Sequence, residues 1–368
     1  MIRITKADQT TQVETEIYAL GATDGFYNIK INEKVNDYGT MTFSCIPSVA
    51  NFKLNDIITV YKDLNVYWQG IIVSITRNFY GDLNVVCYSM LWTLTFNIGQ
   101  AKTYPSSSVT LGNILSDIQT ANNIDYGSGA SINTQYQFSV SFDGQAYADN
   151  KQGFELSQGT IIEQIKQLLD PYLYFYPTYY APFNTYCFKL NIGEFDRAWL
   201  TVNQPIEFGL NLLDFAEENS IANYITSVAP IGQNGLTVGA YSGQNGSGYI
   251  KASAAIITEY GERRARVNFD IGNVNDLYAA GVQWLNNNAF AELTLTLSAA
   301  DLSYLTSLGY DEFKVGHFVN VKSTPFGLAT TMPILERSID IQDPAKSTIT
   351  ISNTYQTTLT EYTRRNKS

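Results

Sequence analysis

One histidine, His317, serves a chain of 368 residues, and that scarcity removes most catalytic and metal-binding schemes at once. A metalloprotease helix with paired histidines, a histidine-rich zinc site and tandem histidine ligands all need residues that are not here. A Ser-His-Asp triad would need His317 in a cleft, whereas the residue sits in a turn entering a strand, a structural place. Cysteine is nearly as rare. Cys45, Cys87 and Cys187 are far apart, make no CxxC pair and form no even framework, so they read as small buried apolar residues of a protein made in the cytosol. Long apolar runs are missing too. The longest, Val85 to Phe96, contains Ser and Thr and falls short of the ~20 helical residues that span a bilayer. Met1-Ile-Arg-Ile-Thr-Lys-Ala-Asp8 puts charge and polarity where the core of a signal peptide would begin. The expectation is a chain with no membrane span, soluble or assembled from soluble parts.

Charge is sparse as well: only 15% of residues are Asp, Glu, Lys or Arg, and their balance is −11. A surface built to grip phosphate is therefore not expected, while an acidic wall would let nucleic acid pass without sticking. Tyrosine (26) and phenylalanine (19) are abundant instead. Polar cover comes from Asn, Gln, Ser and Thr, a composition suited to β-rich assemblies with extensive subunit contacts.

Two distant stretches share one pattern. Phe52-Lys-Leu-Asn-Asp-Ile-Ile-Thr-Val60 and Phe313-Lys-Val-Gly-His-Phe-Val-Asn-Val321 each run from Phe-Lys through a turn into an apolar strand. Each follows an alternating Thr-rich segment, Thr40–Cys45 or Leu293–Ser298. Each precedes a strand reaching an arginine, Ile71 to Arg77 or Pro333 to Arg337, and a last alternating strand, Leu83 to Tyr88 or Ser347 to Ser352. Five elements in matching order predict a duplicated small β-domain.

The fold expected is mainly β with α+β insertions: two similar small β-barrel-like domains per chain plus inserted α+β domains. Residues 1–97 form the first β-barrel-like domain, with a tight turn at Trp68-Gln-Gly70. An α+β domain occupies 98–203. In it a helix with Leu111, Ile114, Leu115 and Ile118 on one face ends near Asn122-Asn123, and a second starts at the capping box Thr160-Ile-Ile-Glu163 and stops at Pro171. Strands Tyr172–Tyr176 and Tyr186–Ile192 follow. The second β-barrel-like domain is discontinuous, 204–232 and 291–355, opening with strands over Ile206–Leu213 and Ala222–Pro230. Residues 233–290 insert a Gly-rich loop, strands through Arg263–Phe269 and a helix from about Val274 to Asn287. Ser298-Ala-Ala-Asp301 caps a short helix that Gly309 ends, and 356–368 is a flexible tail.

No stretch assembles a catalytic, cofactor or metal site. The loop with Gly246-Ser-Gly248 lacks GK[ST] and leads into a β-pattern, not a helix N-terminus. Tyr172-Leu-Tyr-Phe-Tyr176 with Tyr179 and Tyr180 would suit stacking on a sugar, but on a strand it reads as core on one face and subunit contact on the other. Glu217 and Glu218 are adjacent and point apart, a poor pair for glycoside hydrolysis. Asp143, Asp149 and Asn150 lack the EF-hand pattern for Ca²⁺. Within Glu262-Arg-Arg-Ala-Arg266, Arg264 and Arg266 share a face, either solvated or paired with another subunit.

The order of segments resembles the hub proteins at the tip of phage tails, the N-terminal part of the siphophage tail-associated lysin or prophage endopeptidase-tail family, related to the central baseplate hub of contractile phages. The resemblance is carried by Phe208-Gly-Leu-Asn-Leu-Leu213, Ser220 through Gly232, Tyr260-Gly-Glu262, and Phe313–Val321 through Pro333–Asp340 and Ser347–Ile351. It implies a homotrimer whose two barrel domains per chain make a pseudo-sixfold ring, closing the distal end of the tail tube and opening for DNA passage. Implied partners are a hexameric distal tail protein, a tape measure protein and other baseplate or receptor-binding proteins; DNA transits without specific binding. The place implied is the virion tail tip, after synthesis in the bacterial host cytoplasm. Many members carry a peptidoglycan-cleaving domain after the hub; this sequence stops at Ser368, so no residue inherits that activity and no enzyme is expected. The alternatives are a β-rich cell-wall glycan hydrolase and a carbohydrate-binding adhesion module.

Overall fold

Apolar residues at every second position bury one face of a strand, and the N-terminal part of the chain uses that pattern repeatedly. The computed structural model describes residues 2–8, 13–19, 25–48, 51–104, 109–127, 137–142, 155–168, 173–180, 188–194, 201–220, 224–242, 246–269, 271–286, 292–304, 311–343 and 347–352. The readings at Asp143, Asp149, Asn150, Pro171, Cys187, Gly309 and the tail 356–368 lie outside them. The chain is mainly β with α+β insertions, and it divides into two units, Met1–Phe215 with Thr296–Ile351 and Ala216–Leu295 with Ser352–Ser368.

The first unit opens with β1 (Ile2–Ala7), β2 (Glu14–Ala19), β3 (Phe26–Lys34), β4 (Thr40–Cys45), β5 (Ile57–Lys62), β6 (Asn65–Arg77) and β7 (Leu83–Ser89). After a 3-10 turn, Met90–Thr95, come the two-residue strands β8 (Ile98–Gly99) and β9 (Lys102–Thr103), then α1 (Leu111–Gly127) and β10 (Phe138–Phe142). Next are β11 (Glu155–Leu156), β12 (Gly159–Thr160), α2 (Ile161–Leu168), β13 (Leu173–Tyr179) and β14 (Phe188–Glu194), followed by β15 (Ile206–Glu207) and β16 (Leu212–Ser220). The second unit holds β17 (Ser227–Ile231), β18 (Ile250–Lys251), α3 (Ala254–Tyr260), β19 (Arg264–Asn268) and α4 (Val274–Asn286). The chain returns through β20 (Glu292–Ala299) to β21 (Phe318–Ser323), β22 (Leu328–Asp340) and β23 (Thr348–Ser352).

The repeat is real at the level of pairing. One sheet runs β16-β20-β23-β22-β3-β4-β7-β6-β5-β1-β2, with β21 against both β22 and β15. Strand for strand, β4-β7-β6-β5 in the first copy matches β20-β23-β22-β21 in the second, and β3 matches β16. The turns agree in detail. Asn55 and Gly316 both have positive φ, 71° and 85°. Asn55 N donates to Ile72 O (2.9 Å) as Gly316 N does to Ile334 O (2.8 Å), and the N–H groups of Asp56 and His317 donate to the carbonyls of Lys53 and Lys314. Phe52 and Phe313 are both buried. Even the bulges coincide, between Ile72 and Ser74 in β6 and between Ile334 and Glu336 in β22. Counting from those bulges, Arg337 stands where the first copy has Ile75, so the two arginines of the sequence pattern are not equivalent.

The copies meet edge to edge. Beyond its bulge, β22 leaves β21 and pairs Glu336–Asp340 with Lys34–Lys30 of β3. The corresponding half of β6, Ser74–Arg77, has β7 on one side and, among the described residues, no strand on the other. That half is half-buried to exposed, while Arg337 and Ile339 of β22 are buried. At the far end of the sheet β16 has only β20 beside it among the described strands, and Leu213, Asp214, Ala216, Glu217 and Glu218 are all exposed.

Several local expectations need correction. Trp68-Gln-Gly70 lies within β6; the turn falls at Asp63-Leu64. Gly70 is required by close approach, since a Cβ there would stand 2.3 Å from both the Trp68 ring and the Tyr88 carbonyl. The run Ile206–Leu213 breaks at Phe208–Asn211, where Asn211 Oδ1 accepts from Glu207 N at 2.9 Å. The strand expected over Ala222–Pro230 is β17, which pairs with β18 and, in parallel, with β19. With α4 these strands enclose Val228, Val238, Ile250, Val267, Leu277 and Leu285. The helix α3, capped by Ser253, was not foreseen.

In the α+β insertion Leu111, Ile114, Leu115 and Ile118 are buried together, on an α1 that runs past Asn122-Asn123 to Gly127. The capping box forms as read: Thr160 N donates to Glu163 Oε2 (2.9 Å) and Glu163 N to Thr160 Oγ1 (3.4 Å). β10 and β13 flank β14, with Phe138 stacked on Phe188 at 5.7 Å.

Because left-handed backbone costs a side chain about 1–2 kcal/mol, Gly316→Ala lowers unfolding free energy by about that amount in urea titrations. Asn55→Gly at the matching turn changes it by less than about 1 kcal/mol, since asparagine already tolerates this conformation.

Candidate functional site

Where the copies join, four charges gather out of solvent. Arg337 of β22, with 7% of its side chain exposed, lies against Glu33 of β3, 15% exposed, and Glu312 before β21, 11% exposed. Its Nε donates to Glu33 Oε2 at 2.5 Å and its Nη1 to Glu312 Oε1 at 3.0 Å; Nη1 also donates to the carbonyl of Phe313. Lys62 at the end of β5 reaches Glu312 Oε2 at 3.2 Å and Ser303 Oγ at 3.3 Å. The Tyr67 hydroxyl donates to Glu312, and the Arg337 guanidinium sits 5.4 Å from the centre of the Tyr67 ring.

Two cations and two carboxylates balance, which lets the group stay buried. Burial favours loss of the charge on Arg337, but Glu33, Tyr67 and Glu312 outweigh it and keep the guanidinium protonated. Burial likewise raises the Glu312 carboxyl, yet Arg337 and Lys62, with the Tyr67 hydroxyl, hold it below the ordinary value of 4.5. A carboxylate held down this way is a fixed anion, poorly suited to proton transfer near neutrality. The cluster binds strands together.

The cluster floors a cleft of about 560 Å³. Its walls include Lys34, Asp37, Lys189, Lys314, His317 and, from β13, Tyr176 and Tyr179. β13 is fixed there by Asn36, whose Oδ1 accepts from Phe175 N at 2.8 Å. Of the aromatic run Phe175 and Tyr179 are buried, while Tyr176 on the opposite face of β13 is half-buried. His317 packs edge-on against Tyr176, ring centres 6.2 Å apart, in the turn whose first-copy counterpart is Asp56.

The remaining candidates stay dispersed. Glu217 and Glu218 are both exposed on β16. Arg264 and Arg266 share an exposed face of β19; Arg264 pairs with Glu262 at 3.1 Å and lies over the Tyr249 ring. The Gly-rich loop forms short 3-10 turns at Gln233–Gly235 and Val238–Ala240. Cys45 and Cys87 are buried, and burial pushes the Cys45 thiol up to about 11. Among the described residues no three His, Cys, Asp or Glu side chains cluster in a way that would hold a metal ion, and no helix is long and apolar enough to cross a membrane. Sequence reading missed the buried ion cluster, whose members are separated by up to 304 positions.

The mainly β fold with α+β insertions is shared with solved phage tail proteins. Residues 201–362 match the model of the prophage endopeptidase tail family. Along its whole length the chain shares its fold with prophage tail protein gp18 from Listeria monocytogenes EGD-e, at 15% identity and a TM-score of 0.64, covering 99% of this chain and 98% of that one. The tail protein from Neisseria meningitidis MC58 matches at 12% identity and a TM-score of 0.60, and the 43 kDa tail protein of prophage MuSo2 from Shewanella oneidensis at 11% and 0.56, each covering 96% of both chains. No curated protein matches by sequence.

Removing one partner from a buried ion pair strands the others, so Arg337→Ala destabilises the chain by about 3–5 kcal/mol in chemical denaturation. Because the pKa of Glu312 is lower folded than unfolded, its contribution is present above the unfolded value and disappears as pH falls through the folded one. Stability therefore drops on acidification below about 4.5, and Glu312→Gln, already weaker at neutrality, shows a shallower drop in acid unfolding curves.

Proposed function

We propose that this protein is a virion structural protein, the hub at the tip of a phage tail. Three copies form a pseudo-sixfold ring that closes the distal end of the tail tube and opens for DNA passage at infection. The observation that carries this reading is the open-ended duplication. One copy joins the next within the chain by β22 against β3, while among the described residues the matching edge of β6 and the outer edge of β16 have no strand beside them. Repeating the same junction between chains closes a ring, and three chains with two copies each give six similar faces to meet a hexameric distal tail protein.

In this reading residues 1–97 form one ring segment and 204–232 with 291–355 the other, while 98–203 and 233–290 are insertions. The acidic balance suits a channel wall that DNA must traverse without binding. A tape measure protein and other baseplate or receptor-binding proteins are the remaining partners. In this reading the role is structural: the buried carboxylates Glu33 and Glu312 are committed to Arg337, and His317, which lies on the cleft wall contrary to the expectation from its turn, packs against Tyr176.

Sedimentation and native mass measurements of the full chain give the mass of three chains, and electron microscopy of the particles shows a closed ring. A monomer at the highest attainable concentration overturns this reading. Incubation with cell-wall peptidoglycan releases no soluble fragments; release abolished by changing one or two carboxylates would favour a hydrolase instead.

A further inference from the structure

The turn that follows β22 does something its first-copy counterpart does not. Ile341 is fully buried, its N–H donates to Ile29 O at 3.0 Å, and Gln342 Nε2 donates to Phe26 O at 3.0 Å. The tip of the β22–β23 hairpin thus lies on the start of β3, beside the junction of the copies. The matching hairpin of the first copy, β6–β7, ends in Asn78-Phe-Tyr-Gly-Asp82. There Phe79 is 97% and Tyr80 87% exposed, their rings edge-on at 5.6 Å.

This tip is braced. Asn78 N donates to Asp82 O at 2.9 Å, and Asn78 Oδ1 accepts from the N–H groups of Tyr80 and Asp82, both at 2.9 Å. Tyr27 Oη donates to Asp82 Oδ2 at 2.7 Å. Two large aromatic side chains carried out on a braced backbone turn need no loop ordering to dock, which lowers the cost of using them as interface anchors. The turn Phe208–Asn211 and the start of β16, which corresponds to the start of β3, carry the matching apolar surface: Phe208 is 53%, Leu210 49% and Leu213 57% exposed.

We propose that Phe79 and Tyr80 dock on Phe208, Leu210 and Leu213 of a second copy of this chain, repeating between chains the contact that Ile341 and Gln342 make with the start of β3 within one. The inference rests on the ring reading above and names the side chains that lock the ring. The occupant is set by the internal repeat: the same hairpin already meets the same strand once in every chain.

The test compares wild type with Phe79→Ser/Tyr80→Ser, whose positions are exposed in the monomer, by sedimentation over a concentration series. The variant keeps the wild-type melting temperature, while its assembly requires on the order of 30-fold higher concentration or more. A second construction, Phe79→Cys with Leu213→Cys, yields disulfide-linked chains under mild oxidation, and neither single variant does. If wild type assembles and the double serine variant assembles at the same concentration, the docking is wrong and the ring stands. If wild type never assembles, the ring reading falls and the docking with it. Binding of wild type to phosphatidylcholine vesicles that the serine variant loses, with assembly unchanged, would assign the tip to a lipid surface and overturn the proposal.

Discussion

Arg337 is the point on which the two copies turn. A guanidinium can bridge two carboxylates and a carbonyl in one plane, and here it takes Glu33 from one copy and Glu312 and Phe313 O from the other. Lys62 holds the other oxygen of the Glu312 carboxylate, and Tyr67 donates to the same oxygen as Arg337. Because the first copy has Ile75 at the corresponding position, the ion cluster is a property of the junction and not of the repeated unit. A buried ionic group of this kind adds little net stability compared with apolar packing, but it penalises every register except the one that pairs its charges. The β22–β3 seam would otherwise be free to slip, and a slip of one residue would turn Ile339 from core to solvent.

The same seam explains why the two halves of the molecule differ in finish. Around it the strands are covered on both edges and their alternate residues are buried, as in β3. Away from it β16 keeps both faces wet. Natural sheets protect such edges with charge, and Arg77 on one side with Asp214, Glu217 and Glu218 on the other follow that habit.

Much of this was legible in the amino-acid order. The Phe-Lys turn announced itself twice because its chemistry is local: a residue tolerant of positive φ, an aromatic to bury and an apolar strand to follow. The capping box at Thr160 and Glu163 and the apolar face of α1 were legible for the same reason. What could not be seen depends on partners far along the chain. Gly70 looked like turn punctuation because sequence does not reveal that Trp68 folds over it. Ser227–Ile231 looked like a strand of the repeated domain because a parallel partner at Arg264–Asn268 leaves no local mark. Glu33, Lys62, Tyr67, Glu312 and Arg337 are unremarkable singly, and nothing in their spacing brings them together. Equating Arg77 with Arg337 failed by two residues for a related reason, since only the coincident bulges fix the alignment.

The seam also sets an order of events during synthesis. Glu33 and Arg337 are 304 residues apart, so when β3 leaves the ribosome its partner strand does not yet exist. At translation rates of about 5–20 residues per second, β3 waits on the order of tens of seconds with one edge uncovered. Throughout that interval the nascent chain presents a pairing-competent strand of the kind that recruits wrong partners. The lysines and glutamate of β3, Lys30, Glu33 and Lys34, which end up in ion pairs or at the surface, then act first as guards against premature pairing. Glu33, which helps to fix the finished register, is one of them.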